Sequence, residues 1–348
     1  MRTGPLTVLS ILALTADCAL AGGSWHAQAA DGRPSGFPDR FTAPYIASWG
    51  SPQELARARQ DTGLRFFTLA FVVSDGGCTG AFDGRIPIGD PGWLTAVEDL
   101  RTAGGDAIVS FGGGDGRDLA QVCESVPSLK SAYRQVVETY ALTRIDIDIE
   151  GRTLDDQEAN DRRNQSLTEL QNDYAAAGKG LAVQYTLPVN PWGLSANAQK
   201  LLDNAHSHAL AVDVVNIMAM HYGPTQDMGA TAIRASNGLH SQLARIWPEK
   251  TSQQVWAMQG VTPMIGVNGV DEIFTTDDAA RLAGFATENG IKLLSFWSLG
   301  RDKPCATEGT SKGACSGTSQ APGDFARLLN PSGASLRHAA TTAGRPAQ

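Results

Sequence analysis

Residues Ile145-Asp146-Ile147-Asp148-Ile149-Glu150-Gly151 alternate an isoleucine with a carboxylate three times before a glycine. Strand side chains point to opposite faces in turn, so the isoleucines share one face and Asp146, Asp148 and Glu150 the other. On a half-exposed antiparallel strand this would be an oily inner face and a solvated acidic outer one. On a parallel strand both faces are covered, and the carboxylates lie inside the protein. Unpaired buried carboxylates are very unfavourable unless they share protons, hydrogen bonds or cations. In that setting the pattern points to chemistry.

The flanking chain favours the parallel setting. Candidate strands fall at 43–49, 65–73, 107–112, 144–150, 181–187, 212–220, 254–259 and 293–298. Helical patterns fill the gaps at 52–60, 92–103, 118–140, 156–177, 196–208, 227–247 and 276–289, with a last one at 322–329. Ser51 followed by Glu54 reads as a capping box for the first helix. Gly104-Gly105, Gly178-Lys179-Gly180 and Asn289-Gly290 supply left-handed residues where helices stop. Strand and helix in regular alternation predict a parallel sheet, and eight repeats predict closure into a (β/α)8 TIM barrel. Period counting leaves a doubly wound open sheet as the alternative. No linker or repeat divides the chain, so one domain is expected over 31–329, with a disordered tail rich in Ala, Thr, Ser and Pro over 330–348. Glu150 ends its strand, at the barrel face where active sites sit.

A net charge of −8 without a Lys/Arg cluster excludes a nucleic-acid partner and suits neutral or cationic ligands. Residues 1–30 read as a signal peptide and leader. Arg2 precedes the short apolar run Leu6–Leu14, and Ala19-Leu20-Ala21 and Ala27-Gln28-Ala29 are candidate cleavage sites. The expected location is extracellular. Lipid attachment through Cys18 is the weaker alternative, because Asp17 fits a lipobox poorly. No later segment is apolar for long enough to span a membrane. The remaining cysteines are expected to form two disulfides, Cys305 with Cys315 around a Gly/Ser/Thr-rich loop and Cys78 with Cys123. Neither C-x-x-C spacing nor a nearby His pair supports zinc.

Three arrangements could use the carboxylates: a divalent cation site, an ordinary two-carboxylate glycosidase pair, or one acid with supporting aspartates and a nucleophile from the substrate. Positions two apart on a strand lie about 6.5 Å apart along it. Asp148 can therefore hydrogen-bond Glu150 and raise its proton affinity, but is badly placed to attack the far face of a sugar ring. That geometry favours the third arrangement.

The segment resembles the D-G-x-D-x-D-x-E strand of glycoside hydrolase family 18 chitinases at Asp146, Asp148 and Glu150. Thr143 and Arg144 stand where that signature has Asp and Gly. Ser110-Phe111-Gly112-Gly113 resembles the family's S-x-G-G motif on the third strand. Asn216-Ile217-Met218-Ala219-Met220-His221-Tyr222-Gly223 resembles its sixth-strand motif, with His221 in place of an acidic or amide residue. Trp297 matches the eighth-strand Trp that floors the sugar subsite. The resemblance spans about 43–299, and Thr262-Pro263-Met264-Ile265-Gly266 with Trp297-Ser298 through Arg301-Asp302 looks most like a bacterial and archaeal branch.

The resemblance implies hydrolysis of β-1,4 bonds in chitin or N-acetylglucosamine oligosaccharides. Glu150 would be general acid and then base, Asp148 would orient the acetamido group, and Asp146 would hold Asp148. It implies retention of configuration, a monomer, no metal and no cofactor. Substrate contacts are expected from Trp297, Tyr222, His221, Met218, Met220, Ser110, Gly112, Gly113, Tyr185 and Gln259. Tyr185, Trp49, Trp192 and Trp256 suit core packing as well as ligand contact, and His206 and His208 suit the surface. Rival readings are an endo-β-N-acetylglucosaminidase on glycoprotein or peptidoglycan glycans, a chitin-binding lectin on the same barrel, and a metal-dependent hydrolase.

Overall fold

The computed structural model describes residue 1 and residues 36–224, 227–270, 272–306 and 313–330. The leader from residue 2 to 35, with its cleavage sites and Cys18, and the tail from 331 lie outside the described residues. Eight strand positions form the barrel: Phe41–Thr42 with Tyr45–Ala47, then Phe66–Ser74, Asp106–Gly112, Arg144–Asp148, Ala182–Asn190, Val212–Ala219, Gln259–Pro263 and Leu293–Leu294. Each pairs in parallel with the next. Closure comes at the first strand, whose Phe41 pairs with Leu293 while its Tyr45 pairs with Thr68. The sheet is therefore a cylinder, not a doubly wound layer.

Strand alternation sorts the side chains into three levels within the cylinder. Ile145, Ile147 and Ile149 point outward into the main core, against Leu129, Tyr133, Val136, Leu167 and Leu170 of the covering helices. Inside, the lower end is an apolar plug of Phe41, Phe66, Ile108, Val214 and Leu293, with Phe37 packed beneath it. Above the plug lies a polar layer of Ser110, Asp146, Gln184, Thr186, Asn216 and Thr262, all buried. The open upper end carries the cleft described below. Thr143 and Arg144, the two departures from the family signature, fall at the lower end. Arg144 pairs with Asp213 at 2.6 Å and lies over the rings of Phe37 and Phe41. Lys292 meets the other oxygen of Asp213, also at 2.6 Å.

Several local expectations are corrected. Residues 254–259 are not the seventh strand: Thr251 and Gln254 form a capping box that starts a short helix, Ser252–Trp256, and the strand begins at Gln259. The helix expected over 118–140 is two, Leu119–Val122 and Val126–Thr139. Ser125 caps the second with Pro127 in its first turn, where a missing N–H costs nothing. Ser51 does not cap the first helix; Pro52 takes that place with no side-chain cap, and the Ser51 hydroxyl turns to Gln53. The left-handed stops hold at Gly104, Gly178 and Gly290.

Both expected disulfides are present, Cys78–Cys123 and Cys305–Cys315. The first ties the loop after the second strand to the end of helix Leu119–Val122. Among the described residues, no helix is long and apolar enough to cross a membrane.

Candidate active site

The cleft at the upper end of the barrel encloses about 930 Å³. Its lining comes from the upper ends of the strands, so residues distant in sequence converge there. Glu150 follows the fourth strand, Met218 lies near the end of the sixth with Met220 and His221 after it, Met264 follows the seventh and Trp297 the eighth. Cis peptide bonds join Ala70 to Phe71, within the second strand, and Trp297 to Ser298, after the eighth. The Phe71 ring stacks on Trp297 with centroids 5.6 Å apart and planes 12° apart, and Tyr45 and Trp49 lean on the same indole. Together they give the cleft an aromatic floor, a surface suited to the apolar face of a ring.

The acidic residues descend from this floor into the barrel. Asp146 is fully buried, and each oxygen accepts two hydrogen bonds. Gln184 Nε2 and Thr186 Oγ1 reach Oδ1 at 3.0 and 2.7 Å, and Ser110 Oγ and Tyr45 Oη reach Oδ2 at 2.6 and 3.0 Å. Asn216 extends the layer, donating to Thr186 Oγ1 at 3.0 Å and accepting from Thr262 Oγ1 at 2.9 Å. Burial raises the Asp146 pKa, and the four donors counter that shift. Asp148 lacks such support, since its buried Oδ1 has no hydrogen-bond partner. Burial, then the charges of Glu150 and Asp146, hold its pKa well above the ordinary range. The two aspartates therefore differ: four donors support charge on Asp146, whereas burial and neighbouring carboxylates disfavour it on Asp148. The hydrogen bond expected between Asp148 and Glu150 is not formed.

Glu150 is half-buried and lines the cleft. Burial raises its pKa, and the charge of Asp115 raises it further. A carboxyl group tuned upward at the edge of a cleft can hold a proton near neutral pH and release it to a bound molecule.

Ser110, Gly112 and Gly113 serve this arrangement from below rather than from the cleft lining. A Cβ at Gly112, whose φ is 98°, would lie 2.0 Å from the Asp148 carbonyl oxygen. At Gly113, φ 90°, a Cβ would strike the Phe71 ring at 2.7 Å. Glycine at both positions lets the third strand close on the fourth strand and its aromatic neighbour.

Three further expected contacts are corrected. Tyr185 pairs in register with Ile147, so it shares the isoleucines' outward face, is fully buried and bonds to Asn164. Gln259 also faces the helices and accepts from Ser236 Oγ at 2.6 Å. The Tyr222 hydroxyl is buried without a partner and does not line the cleft; the chain turns at His221 and carries the ring into the core. Trp49 lines the cleft, Trp192 stands exposed outside its lining, and Trp256 stacks on His240 in the short helix. His206 and His208 lie near the surface beside Glu249 and Asp161.

Residues not singled out from the sequence complete the site. Gln184 and Thr186 could have been found by parity, because their register partners are Asp146 and Asp148. Asp115 follows the glycines of the third-strand motif with Gly114 between. Glu272, which holds the turn at His221, carries no comparable signal.

No protein-family model matches the chain. Over 285 residues, 78% of this chain, it is 33% identical to a probable bifunctional chitinase/lysozyme of Escherichia coli (strain K12), of which it spans 32%. It is also 33% identical over 285 residues to endochitinase 11 of Metarhizium anisopliae, of which it spans 54%. The chain thus covers about a third to a half of these curated relatives. Catalytic-site mutants of active domain 2 of a thermostable chitinase from Pyrococcus furiosus, complexed with chito-oligosaccharides, superpose with a TM-score of 0.76. That match has 30% identity and covers 90% of this chain and 98% of the other. With this similarity along nearly the whole of a solved catalytic domain, and a closed parallel barrel bearing its carboxylates on the fourth strand, the chain belongs to the glycoside hydrolase family 18 chitinases.

Proposed function

We propose that the protein is a secreted, monomeric chitinase that hydrolyses β-1,4 bonds between N-acetylglucosamine units by a retaining, substrate-assisted mechanism. The observation that carries this reading is the vertical series of Glu150, Asp148 and Asp146 beside an aromatic floor. In the first step, the acetamido carbonyl oxygen attacks its own anomeric carbon while Glu150 gives its proton to the leaving glycosidic oxygen. Asp148, whose Oδ1 has no protein partner, accepts the acetamido N–H. Negative charge carried by the Asp148–Asp146 pair then lies beside the oxazolinium ion. Glu150, now a carboxylate, then takes a proton from water as that water attacks the anomeric carbon, restoring the acid with overall retention.

The hydrogen bonds around Asp146 disfavour the metal-dependent alternative, since both oxygens already accept from hydroxyl or amide donors. Retention of Glu150 and Asp148 disfavours a lectin. Peptidoglycan is the second substrate reading, favoured by the chitinase/lysozyme name of the Escherichia coli relative. Export by the leader over 1–30 is supported by the two disulfides, which belong to oxidising compartments.

The test compares tetramers of N-acetylglucosamine and of glucosamine in excess chelator. Cleavage of the acetylated tetramer alone, insensitive to chelator, is expected. Equal cleavage of both would contradict the substrate's role as nucleophile, and cleavage of neither would redirect the reading to peptidoglycan. Binding without turnover of any glycan would favour the lectin.

A pH dependence follows from Asp115. Glu150 must be protonated to act, so kcat/KM falls as pH rises through its raised pKa. Asp115→Asn removes a charge that raises this pKa, and is expected to move the alkaline limb to lower pH. A limb that stays in place would contradict the assignment.

A further inference from the structure

The turn that carries His221 into the cleft is held by a carboxylate from another loop. Glu272 is 1% exposed and does not line the cleft. Its Oε1 accepts the His221 N–H at 2.5 Å and an N–H of the Asn268 side chain. Its Oε2 accepts the N–H groups of Tyr222 at 2.7 Å and Gly223 at 3.0 Å. Three successive backbone donors thus converge on one anion, a concave arrangement that suits negative charge. His221 adopts a left-handed conformation, φ 63°, to make this possible. The carboxylate arrives on the short hairpin in which Gly266–Val267 pairs with Ile273–Phe274.

We propose that Glu272 is a positioning residue that fixes His221 against bound oligosaccharide and so sets substrate affinity; this rests on the cleft being an N-acetylglucosamine oligomer site. The chemistry of the four donors makes a carboxylate necessary. A carboxylate presents two acceptor oxygens, each taking two donors here. A glutamine of the same shape presents one acceptor and one amide, so two N–H groups would meet another N–H. Buried donors left unpaired are costly, and the turn would open to find other acceptors.

The test is a double-mutant cycle of tetramer affinity, by calorimetry on the Glu150→Gln protein, whose substrate is not consumed. Glu272→Gln is expected to weaken binding between about tenfold and a hundredfold, as a displaced contact residue does. His221→Ala is expected to weaken it as well, and Glu272→Gln added to His221→Ala to weaken it no further. Additive losses would show that Glu272 acts on the fold at large, and unchanged affinity in Glu272→Gln would show that it does not act; either overturns the inference. Thermal melting monitors folding. Should Glu272→Gln fail to fold, Glu272→Asp keeps the charge with a shorter reach and is expected to give an intermediate loss, with full parental affinity overturning the inference. Failure of the parent, with Glu272 intact, to bind any tetramer would remove the underlying reading itself, and the inference with it.

Discussion

Glu150→Gln is expected to lower kcat on the N-acetylglucosamine tetramer by at least about 10²–10⁴-fold, the range of general acid catalysis. Glutamine keeps the shape of the side chain and fills the same place at the cleft edge. It cannot carry a transferable proton to the leaving oxygen, nor take one from water in the second step. Tetramer affinity should therefore be preserved while turnover is lost. Steady-state kinetics and calorimetry on the same preparation check both halves. Activity above about a tenth of wild type would mean that another group supplies the proton, with Asp115, a cleft carboxylate whose charge raises the Glu150 pKa, the first to examine.

Asp148→Asn is expected to lower kcat by roughly 10²–10³-fold, the cost of losing one group aimed at developing charge. The amide can still meet the acetamido group, but it cannot become negative beside the oxazolinium ion. The same substitution is expected to raise thermal stability at neutral pH. The pKa of Asp148 in the folded protein is raised by burial and by two neighbouring carboxylates. Its contribution to stability is complete below the unfolded-state value, about 3.9, and is lost as pH rises through the folded-state value. A neutral asparagine does not lose it. Melting curves at acidic and neutral pH should show the variant gaining on wild type as pH rises. A variant less stable at neutral pH than at acidic pH, relative to wild type, would contradict the charge assignment.

How far the sequence discloses this site depends on whether a feature repeats along the chain or bridges it. The alternation at 145–150 is local, and it identifies the buried acids and the outward isoleucines together. Regular strand and helix spacing likewise discloses the barrel, because each unit obeys the same periodicity. The errors arise where residue type was weighed above parity. Tyr185 was favoured for its ring, yet one position to either side stand Gln184 and Thr186, the residues that bond to Asp146. Residues 254–259 resemble a strand in composition, but the capping pair Thr251 and Gln254 controls the backbone there.

Other features involve partners too distant for any local pattern. Glu272 meets backbone N–H groups about fifty residues away, and backbone donors leave no trace in residue identity. Thr143 and Arg144 illustrate the converse. They depart from the family motif, yet the fold puts Arg144 at the lower end, paired with Asp213. The chain below Asp148 ends instead on neutral donors from the first, third and fifth strands.

The central claim is that the substrate's own acetamido group, and not a directly attacking water, meets the anomeric carbon first. Proton NMR of the products during the first minutes of tetramer hydrolysis, before mutarotation, tests this most directly. The account predicts that the new reducing end appears as the β-anomer, with the α-anomer growing in later by mutarotation. Initial formation of the α-anomer would mean inversion by water and would contradict it.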